Sequence, residues 1–188
     1  MEPTDRILYY RLFARLLGMP PEEWDPEGMA DILSGLQRPG CLERACGRLE
    51  NALRSAGKMS LTEEYNRLFV GLGRGEVLPY SSWYLSGKLL SRSLVDLRAD
   101  LHRLGIERQP GVKEPEDHAA SLCESMALLL DTEEGAAFAQ AAAFFQAHIE
   151  PWMDRFFSDL EAAPSARFFA AAAKAGRCFL EQEHKHWF

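Results

Sequence analysis

The chain has 188 residues, of which 47% are hydrophobic, and its formal net charge is -7 at pH 7. This length suits one domain with a substantial core, and the hydrophobic fraction argues against a disordered chain. The acidic charge argues against nucleic acid and anionic membrane surfaces as partners, because both require basic residues. It is compatible with a basic peptide, since opposite charges steer the encounter.

The sequence shows no segment for membrane insertion or secretion. No apolar run approaches the roughly 20 residues that span a bilayer. The first five residues are acidic and lack the pattern of a secretory signal, which predicts a cytoplasmic location. In that reducing compartment we expect the cysteines, which form no C-x-x-C pair, to be free and buried rather than metal ligands. They are Cys41, Cys46, Cys123 and Cys178.

Apolar residues recur at helical spacing through the first part of the chain. The predicted helices cover residues 4–17, 27–36 and 41–56. Ser60-Leu61-Thr62-Glu63 has the form of a capping box, which predicts another helix beginning at Ser60. That helix carries Tyr65, Leu68 and Phe69 on one face, because they are three or four residues apart.

Residues 71–80 interrupt the helical pattern with three glycines and one proline, a composition that excludes a regular helix. The segment lacks the G-K-[ST] ending of a phosphate-binding loop. Ser81-Ser82-Trp83-Tyr84 follows directly, and two interpretations of its aromatic residues remain open. They either anchor a long loop to the core or form the wall of a binding groove.

Helical spacing resumes over residues 88–104, and Gly105 suits a helix end. Residues 106–115 contain two prolines and a glycine, and we expect them to form a hinge-like connector. Further helices are predicted over residues 115–130, from Asp131 to about 149, from Pro151 onward, and over 165–183.

No segment shows the alternation of a strand. We therefore predict an all-α fold, a single globular bundle of about nine or ten helices. One domain is expected over residues 1–188, with an N-terminal half 1–105, the connector, and a C-terminal half 116–188.

One histidine is placed unusually, in the segment that follows the connector. Pro115 suits a first helical position, and the helix dipole favours Glu116 and Asp117 in the first turn. His118 lies in that acidic turn, with Glu114 four residues before it. Neighbouring carboxylates favour its cationic form, whereas a helix N-terminus opposes it.

The sequence carries no motif for catalysis or metal binding. There is no H-E-x-x-H pattern and no nucleophile signature. His184 and His186 are two residues apart, so on a helix they point in different directions and cannot easily share an ion. We expect a binding protein with no enzymatic activity, no metal and no cofactor. An enzyme or metal protein that uses His118 with nearby carboxylates, such as Asp117 as its orienting group, stays open as an alternative.

Several short motifs, taken in order and spacing, resemble those of one known family. They are Tyr65-x-x-Leu68-Phe69-x-Gly71-x-Gly73, Pro79-Tyr80-x-Ser82-x-Tyr84, Glu114-Pro115-x-Asp117-His118 and His148-x-x-Pro151-Trp152. Over about residues 60–183 the chain is similar to the TorD/DmsD/NarJ family, all-helical cytoplasmic chaperones for molybdenum oxidoreductases. It departs from the family at Leu72, where proline is usual, and at Leu122, where glutamate is frequent.

The resemblance implies a chaperone that binds the twin-arginine leader, or an equivalent N-terminal segment, of a client molybdopterin oxidoreductase. It would hold the client for cofactor insertion before export or assembly. The implied apolar wall of the peptide site comprises Tyr65, Leu68, Phe69, Pro79, Tyr80 and Tyr84, and the implied polar contacts are Asp117 and His118. Glu114 and Glu116 are added on charge grounds, because carboxylates complement arginine.

A helical adaptor or regulator that binds a different peptide or helix through the aromatic loop is the alternative function. The family includes monomers and domain-swapped dimers, and residues 106–115 are where a swap would occur. The sequence does not identify the client enzyme.

Overall fold

The computed structural model describes residues 1–71, 74–132 and 137–188. These residues form ten α-helices, a 3-10 turn at Pro21–Glu23 and a π-helical turn at Asn66–Val70, and no strand is present among them. The prediction of an all-α fold is confirmed. The helices are α1 Pro3–Gly18, α2 Pro26–Gly35, α3 Leu42–Ser55, α4 Lys58–Tyr65, α5 Ser81–Ser86, α6 Arg92–Arg103, α7 Ala119–Leu130, α8 Ala137–His148, α9 Met153–Ala162 and α10 Phe168–Trp187.

Helices α1 and α10 form the centre of the bundle. Helix α1 lies along α7, and α10 packs against α3 and α9. Arg6 of α1 and Glu183 of α10 form a buried pair, with Nε to Oε1 at 2.6 Å and Nη2 to Oε2 at 2.7 Å. The hydroxyl of Tyr10 also donates to Glu183, at 2.8 Å. The charged pair is thus hydrogen-bonded, as a buried charge must be.

The two predicted halves of the chain contribute to the same core. Helices α1 and α3 precede the connector, whereas their partners α7 and α10 follow it. Residues 107–114 of the connector are exposed. The connector therefore runs over the surface of a single bundle. The helices before it pack against the helices after it.

Several predicted helix boundaries are wrong, and the capping box at Ser60 is one of them. Helix α4 begins at Lys58, and its N-cap is Gly57, which makes no side-chain cap. The amide of Leu61 already bonds the carbonyl of Gly57 at 3.1 Å. Since backbone bonding starts earlier than the motif indicates, Ser60 lies inside the helix.

The helix predicted from Pro115 begins at Ala119 instead, with His118 as its N-cap. Residues 88–91 likewise precede α6, and the predicted starts at 151 and 165 lie two or three residues before α9 and α10. Helix α10 continues through Trp187, so His184 and His186 are helical. Asp131, the predicted start of the next helix, is the C-cap of α7, and residues 133–136 lie outside the described residues.

Two of the four cysteines are paired, which corrects the prediction of four free thiols. Cys41 and Cys178 form a disulfide, with their Cα atoms 5.6 Å apart. The pattern could not show this, because the bond depends on the start of α3 lying beside α10. Cys46 and Cys123 are free and buried, as predicted. Among the described residues, none of the helices has the length and hydropathy to cross a membrane.

Candidate functional site

A π-helical turn follows α4 and sets the direction of the next loop. The amide of Gly71 bonds the carbonyl of Asn66 at 2.7 Å and closes this wide turn. Gly71 has φ 63° and ψ 175°, a conformation that is essentially confined to glycine. A Cβ at Gly71 would lie 2.0 Å from the carbonyl oxygen of Arg74. The sharp reversal after Phe69 therefore requires this glycine.

Residues 76 and 77 are fixed to the bundle by backbone and carboxylate bonds. The amide of Val77 bonds the carbonyl of Leu68 at 2.9 Å. The carboxylate of Glu76 accepts from the amide of Ser165 at 3.0 Å and from its hydroxyl at 2.5 Å. The loop thus approaches α5 along a defined path.

Residues 114–118, here called the strap, contain a turn in which the amide of His118 bonds the carbonyl of Pro115 at 3.1 Å, and they lie against the start of α5. Tyr80 and His118 face each other in an isolated antiparallel bridge. The amide of Ser81 bonds the carbonyl of Asp117 at 3.0 Å, and the amide of Ala119 bonds the carbonyl of Pro79 at 2.8 Å. This pairing holds the strap against α5, and α7 begins only at Ala119.

His118 caps helix α7 as a neutral side chain. Its Nδ1 accepts from the amide of Ala120 at 3.1 Å, and only 8% of the residue is exposed. Burial lowers the pKa of His118 to about 4, although the charges of Glu114 and Asp117 act to raise it. The ring packs edge-to-face against Tyr80, with centroids 5.2 Å apart. Burial thus outweighs the neighbouring carboxylates that were expected to favour the cation.

Asp117 is the most unusual polar group of the strap. It has no exposed surface, and its Oδ2 accepts from the amide of Ser82 at 2.9 Å. Its Oδ1 is buried without a hydrogen-bond partner, and so is the hydroxyl of Ser82. Buried polar atoms in native proteins are nearly always bonded. Two unsatisfied atoms on segments that contact each other therefore point to a missing partner.

Both unsatisfied groups border one cavity of about 460 Å³, here called the aromatic cavity. Its apolar side chains are Phe69, Val70, Leu78, Tyr80, Trp83, Leu89, Leu90 and Pro115. Val70, Leu89 and Leu90 are 57%, 48% and 68% exposed, which is unusual for adjacent large apolar residues. Leu90 has φ 56°, a strained value that recurs at functional positions. The cavity is open, apolar and lined by one buried carboxylate.

The predicted site residues fall into three groups around this cavity. Phe69, Tyr80 and Asp117 border it directly. Behind them lie Tyr65, which packs between Phe69 and Phe169, and the buried Leu68 and Pro79.

Tyr84 points away from the cavity. Its hydroxyl donates to Asp159 at 3.0 Å and its ring packs on Trp152, with centroids 5.5 Å apart.

The two glutamates of the strap face different surroundings. Glu114 accepts from the Tyr80 hydroxyl at 2.5 Å at the cavity rim. Burial and this bond raise the pKa of Tyr80, so its hydroxyl stays protonated. Glu116 turns to the other side of the strap and pairs with Arg98 at 2.8 Å. It borders a separate cavity of about 380 Å³ between α6, α7 and the connector.

Sequence reasoning missed several residues of the aromatic cavity. Trp83 belonged to the aromatic cluster for which a loop anchor and a groove wall both stayed open, but it was not named as a site residue. Leu89 and Leu90 were predicted to lie in a helix over residues 88–104. They lie instead in the turn between α5 and α6. Arg74 also borders the cavity, and no pattern in the sequence identifies it.

The fold and this site define an all-helical protein with an open apolar cavity. In the part of the chain that the structure describes, no cluster of His, Cys, Asp or Glu is placed to hold a metal. A family model described as the nitrate reductase delta subunit matches residues 39–158.

Curated relatives and a solved structure agree with that match. Two proteins from Vibrio cholerae strains, each named chaperone protein TorD, are 27% identical over 168 and 169 residues. The alignments cover 85% and 82% of this chain and 75% and 76% of the relatives. A crystal structure from Archaeoglobus fulgidus, described as a redox enzyme maturation protein, matches with a TM-score of 0.63 at 18% identity, covering 93% of both chains. At that identity it supports the fold alone.

The chain belongs to the nitrate reductase delta subunit family, the TorD/DmsD/NarJ family that its motifs resemble. It is a redox-enzyme maturation chaperone and not a catalyst.

Proposed function

We propose that this chaperone binds the twin-arginine leader, or an equivalent N-terminal segment, of a molybdopterin-dependent oxidoreductase. It holds the client in the cytoplasm until cofactor insertion is complete and export or assembly can follow. The observation that carries this proposal is the unpartnered Oδ1 of Asp117, buried at the edge of the apolar aromatic cavity.

The chemistry of such a leader complements the cavity. An arginine side chain offers five N–H donors in a planar fork, and it binds carboxylates more strongly than neutral groups do. One donor would satisfy Asp117 Oδ1, and another the hydroxyl of Ser82. The apolar part of the leader would cover Leu89 and Leu90, which otherwise stay exposed to water.

The other predicted residues support this site in distinct ways. Phe69 and Tyr80 form its wall, and Tyr65, Leu68 and Pro79 lie behind that wall. Tyr84 anchors α5 to Asp159 and Trp152 instead. Glu114 adds negative charge at the rim. Glu116 and His118 position the strap, through Arg98 and through the α7 cap respectively.

The decisive variant is Asp117→Asn. The asparagine keeps an acceptor for the Ser82 amide and nearly the same volume, but it replaces the unpartnered oxygen by an NH₂ group and removes the charge. Affinity for a twin-arginine leader peptide should fall at least about tenfold, because a buried charged hydrogen bond is worth roughly 1.5–3 kcal/mol. Calorimetric titration measures the affinity, and thermal unfolding checks that the fold persists.

Glu124→Gln is the matched control, because it removes the same charge beside the separate cavity of α6 and α7. It should leave the affinity within about twofold. Equal affinities for the wild type, Asp117→Asn and Glu124→Gln would contradict the proposed site. Failure of the wild-type protein to bind a twin-arginine peptide would favour a helical adaptor for another segment.

A further inference from the structure

A second charged residue of the aromatic cavity sits on an aromatic face. The Cζ atom of Arg74 lies 4.5 Å from the ring centroid of Trp83. Arg74 and Asp117 are the two charged residues that border this cavity. In the described part of the chain, the Arg74 side chain has no carboxylate or carbonyl within bonding distance. Its one specific contact is therefore the indole ring.

Arg74 and Asp117 share the cavity without bonding to each other. A cation normally moves to an unsatisfied buried carboxylate if it can reach it. Stacking on Trp83 instead leaves Asp117 Oδ1 without a cationic partner. A second arginine bound there would be repelled by Arg74 across the low-polarity cavity.

The backbone beside Arg74 is closely packed at Gly75. A Cβ at Gly75 would lie 2.4 Å from the carbonyl oxygen of Leu68 and 2.6 Å from the carbonyl carbon of Phe69. The loop therefore packs directly on the π-helical turn. Any release of the Trp83 face must come from the Arg74 side chain, which is exposed and unbranched.

We propose that Trp83 is a specificity-determining residue that stacks on an arginine of the client, and that Arg74 occupies its face in the free protein. In the free protein Arg74 thus occupies the position on the Trp83 ring that the guanidinium group of the client would take. It lowers the apparent affinity for the client until it is displaced. This inference rests on the proposed function and names the group that the site recognises. A planar guanidinium stacks on indole better than an ammonium group does, so the subsite selects arginine over lysine.

The test compares two leader peptides that differ only in a twin-arginine or a twin-lysine pair. Arg74→Gln should bind the twin-arginine peptide about two- to fivefold more tightly than the wild type does, because no arginine side chain has to be displaced from the Trp83 ring. Arg67→Gln is the matched control. It removes the same charge from an exposed arginine whose partner is Glu63, outside the cavity, and it should change the affinity less.

Trp83→Leu should weaken binding of the twin-arginine peptide at least about threefold and abolish its preference over the twin-lysine peptide. Trp83→Phe keeps a weaker aromatic face and should show an intermediate preference, which preserves the test if the leucine variant does not fold. Two results overturn the inference but leave the proposed function intact. They are equal effects of Arg74→Gln and Arg67→Gln, and an unchanged arginine preference in both Trp83 variants. A wild-type protein that binds neither peptide overturns both.

Discussion

The properties of His118 are set by competition between burial and charge. Two carboxylates lie near it, yet burial keeps its ring neutral and lowers its pKa to about 4. The neutral state is also the useful one, because Nδ1 must be unprotonated to accept from the amide of Ala120. Protonation would remove the cap of α7 and place a buried cation behind Tyr80.

Acid should therefore destabilise the protein through His118. The unfolded side chain has a pKa near 6.5, so between about pH 6.5 and 4 the unfolded state binds a proton that the folded state excludes. The contribution of His118 to the free energy of unfolding is fully present above pH 6.5. It falls as the pH decreases through that window, by about 3 kcal/mol in total. Urea unfolding at closely spaced pH values measures the loss.

His118→Asn isolates this contribution from that of the carboxylates. Asparagine is a good N-cap and can still accept from the amide of Ala120, but it does not titrate. Its unfolding free energy should decrease less steeply than that of the wild type between pH 6.5 and 4. Parallel pH profiles for the two proteins would show that His118 is not the titrating group.

At this scale the sequence did not predict the conformation of the strap. Pro115, Glu116 and Asp117 satisfy every local rule for a first helical turn. The backbone pairing of the strap with Pro79 and Ser81 overrides that preference, and such pairing between segments distant in the chain has no local signature. The unpartnered oxygen of Asp117 arises from the same pairing and could not be predicted either.

Among the helices, α10 is capped by a residue from a different element. Glu64 of α4 accepts from the amides of Arg167 at 2.7 Å, Phe168 at 3.1 Å and Phe169 at 2.8 Å. The N-cap residue Arg167 makes no side-chain cap of its own. The carboxylate also lies at the positive end of the α10 dipole. It therefore joins the start of α10 to the helix that leads into the cavity wall.

Removal of this distant cap should be costly. Glu64→Ala leaves three amides at a buried helix end without an acceptor, and we expect a loss of about 2–3 kcal/mol in unfolding free energy. Glu63→Ala is the adjacent control. Its carboxylate is exposed and only approaches Arg67, at 3.7 Å, so it should cost less than about 0.5 kcal/mol. Urea denaturation measures the unfolding free energy of both variants, provided that their m-values are unchanged. Similar losses of unfolding free energy in Glu64→Ala and Glu63→Ala would refute the capping role.

The elements themselves were largely predictable, since amphipathic spacing placed the helices over 4–17, 27–36 and 41–56 within about two residues of their observed ends. The cap from Glu64 and the π-helical turn could not be predicted. Both depend on which helices meet in space, and spacing along one helix carries no such information. The capping box at Ser60 failed for the same reason.

At the scale of the whole molecule, one covalent bond spans the bundle. The disulfide between Cys41 and Cys178 joins residues 137 positions apart. Both cysteines border a cavity of about 470 Å³. A reducing cytoplasm favours the dithiol form, and the protein would then act without this link.

Reduction should lower stability measurably. A cross-link over so long a segment restricts the unfolded chain, and its removal should cost about 3–5 kcal/mol and several degrees in melting temperature. Thermal unfolding with and without dithiothreitol measures this difference. The double variant Cys41→Ser/Cys178→Ser should have the melting temperature of the reduced protein, and dithiothreitol should not change it. Identical melting of the wild type in both buffers would show that the bond adds nothing.

The interleaving of the two halves has a consequence for exchange between copies of the chain. Helices α1 and α3 find their partners α7 and α10 beyond the connector 106–115. If two copies of the chain exchanged their C-terminal halves, each of these helix pairs would form between two different chains. The closed and exchanged forms would then differ only in the path of the connector and in protein concentration. Because Cys41 and Cys178 lie on opposite sides of the connector, their bond would lock whichever form existed when it closed.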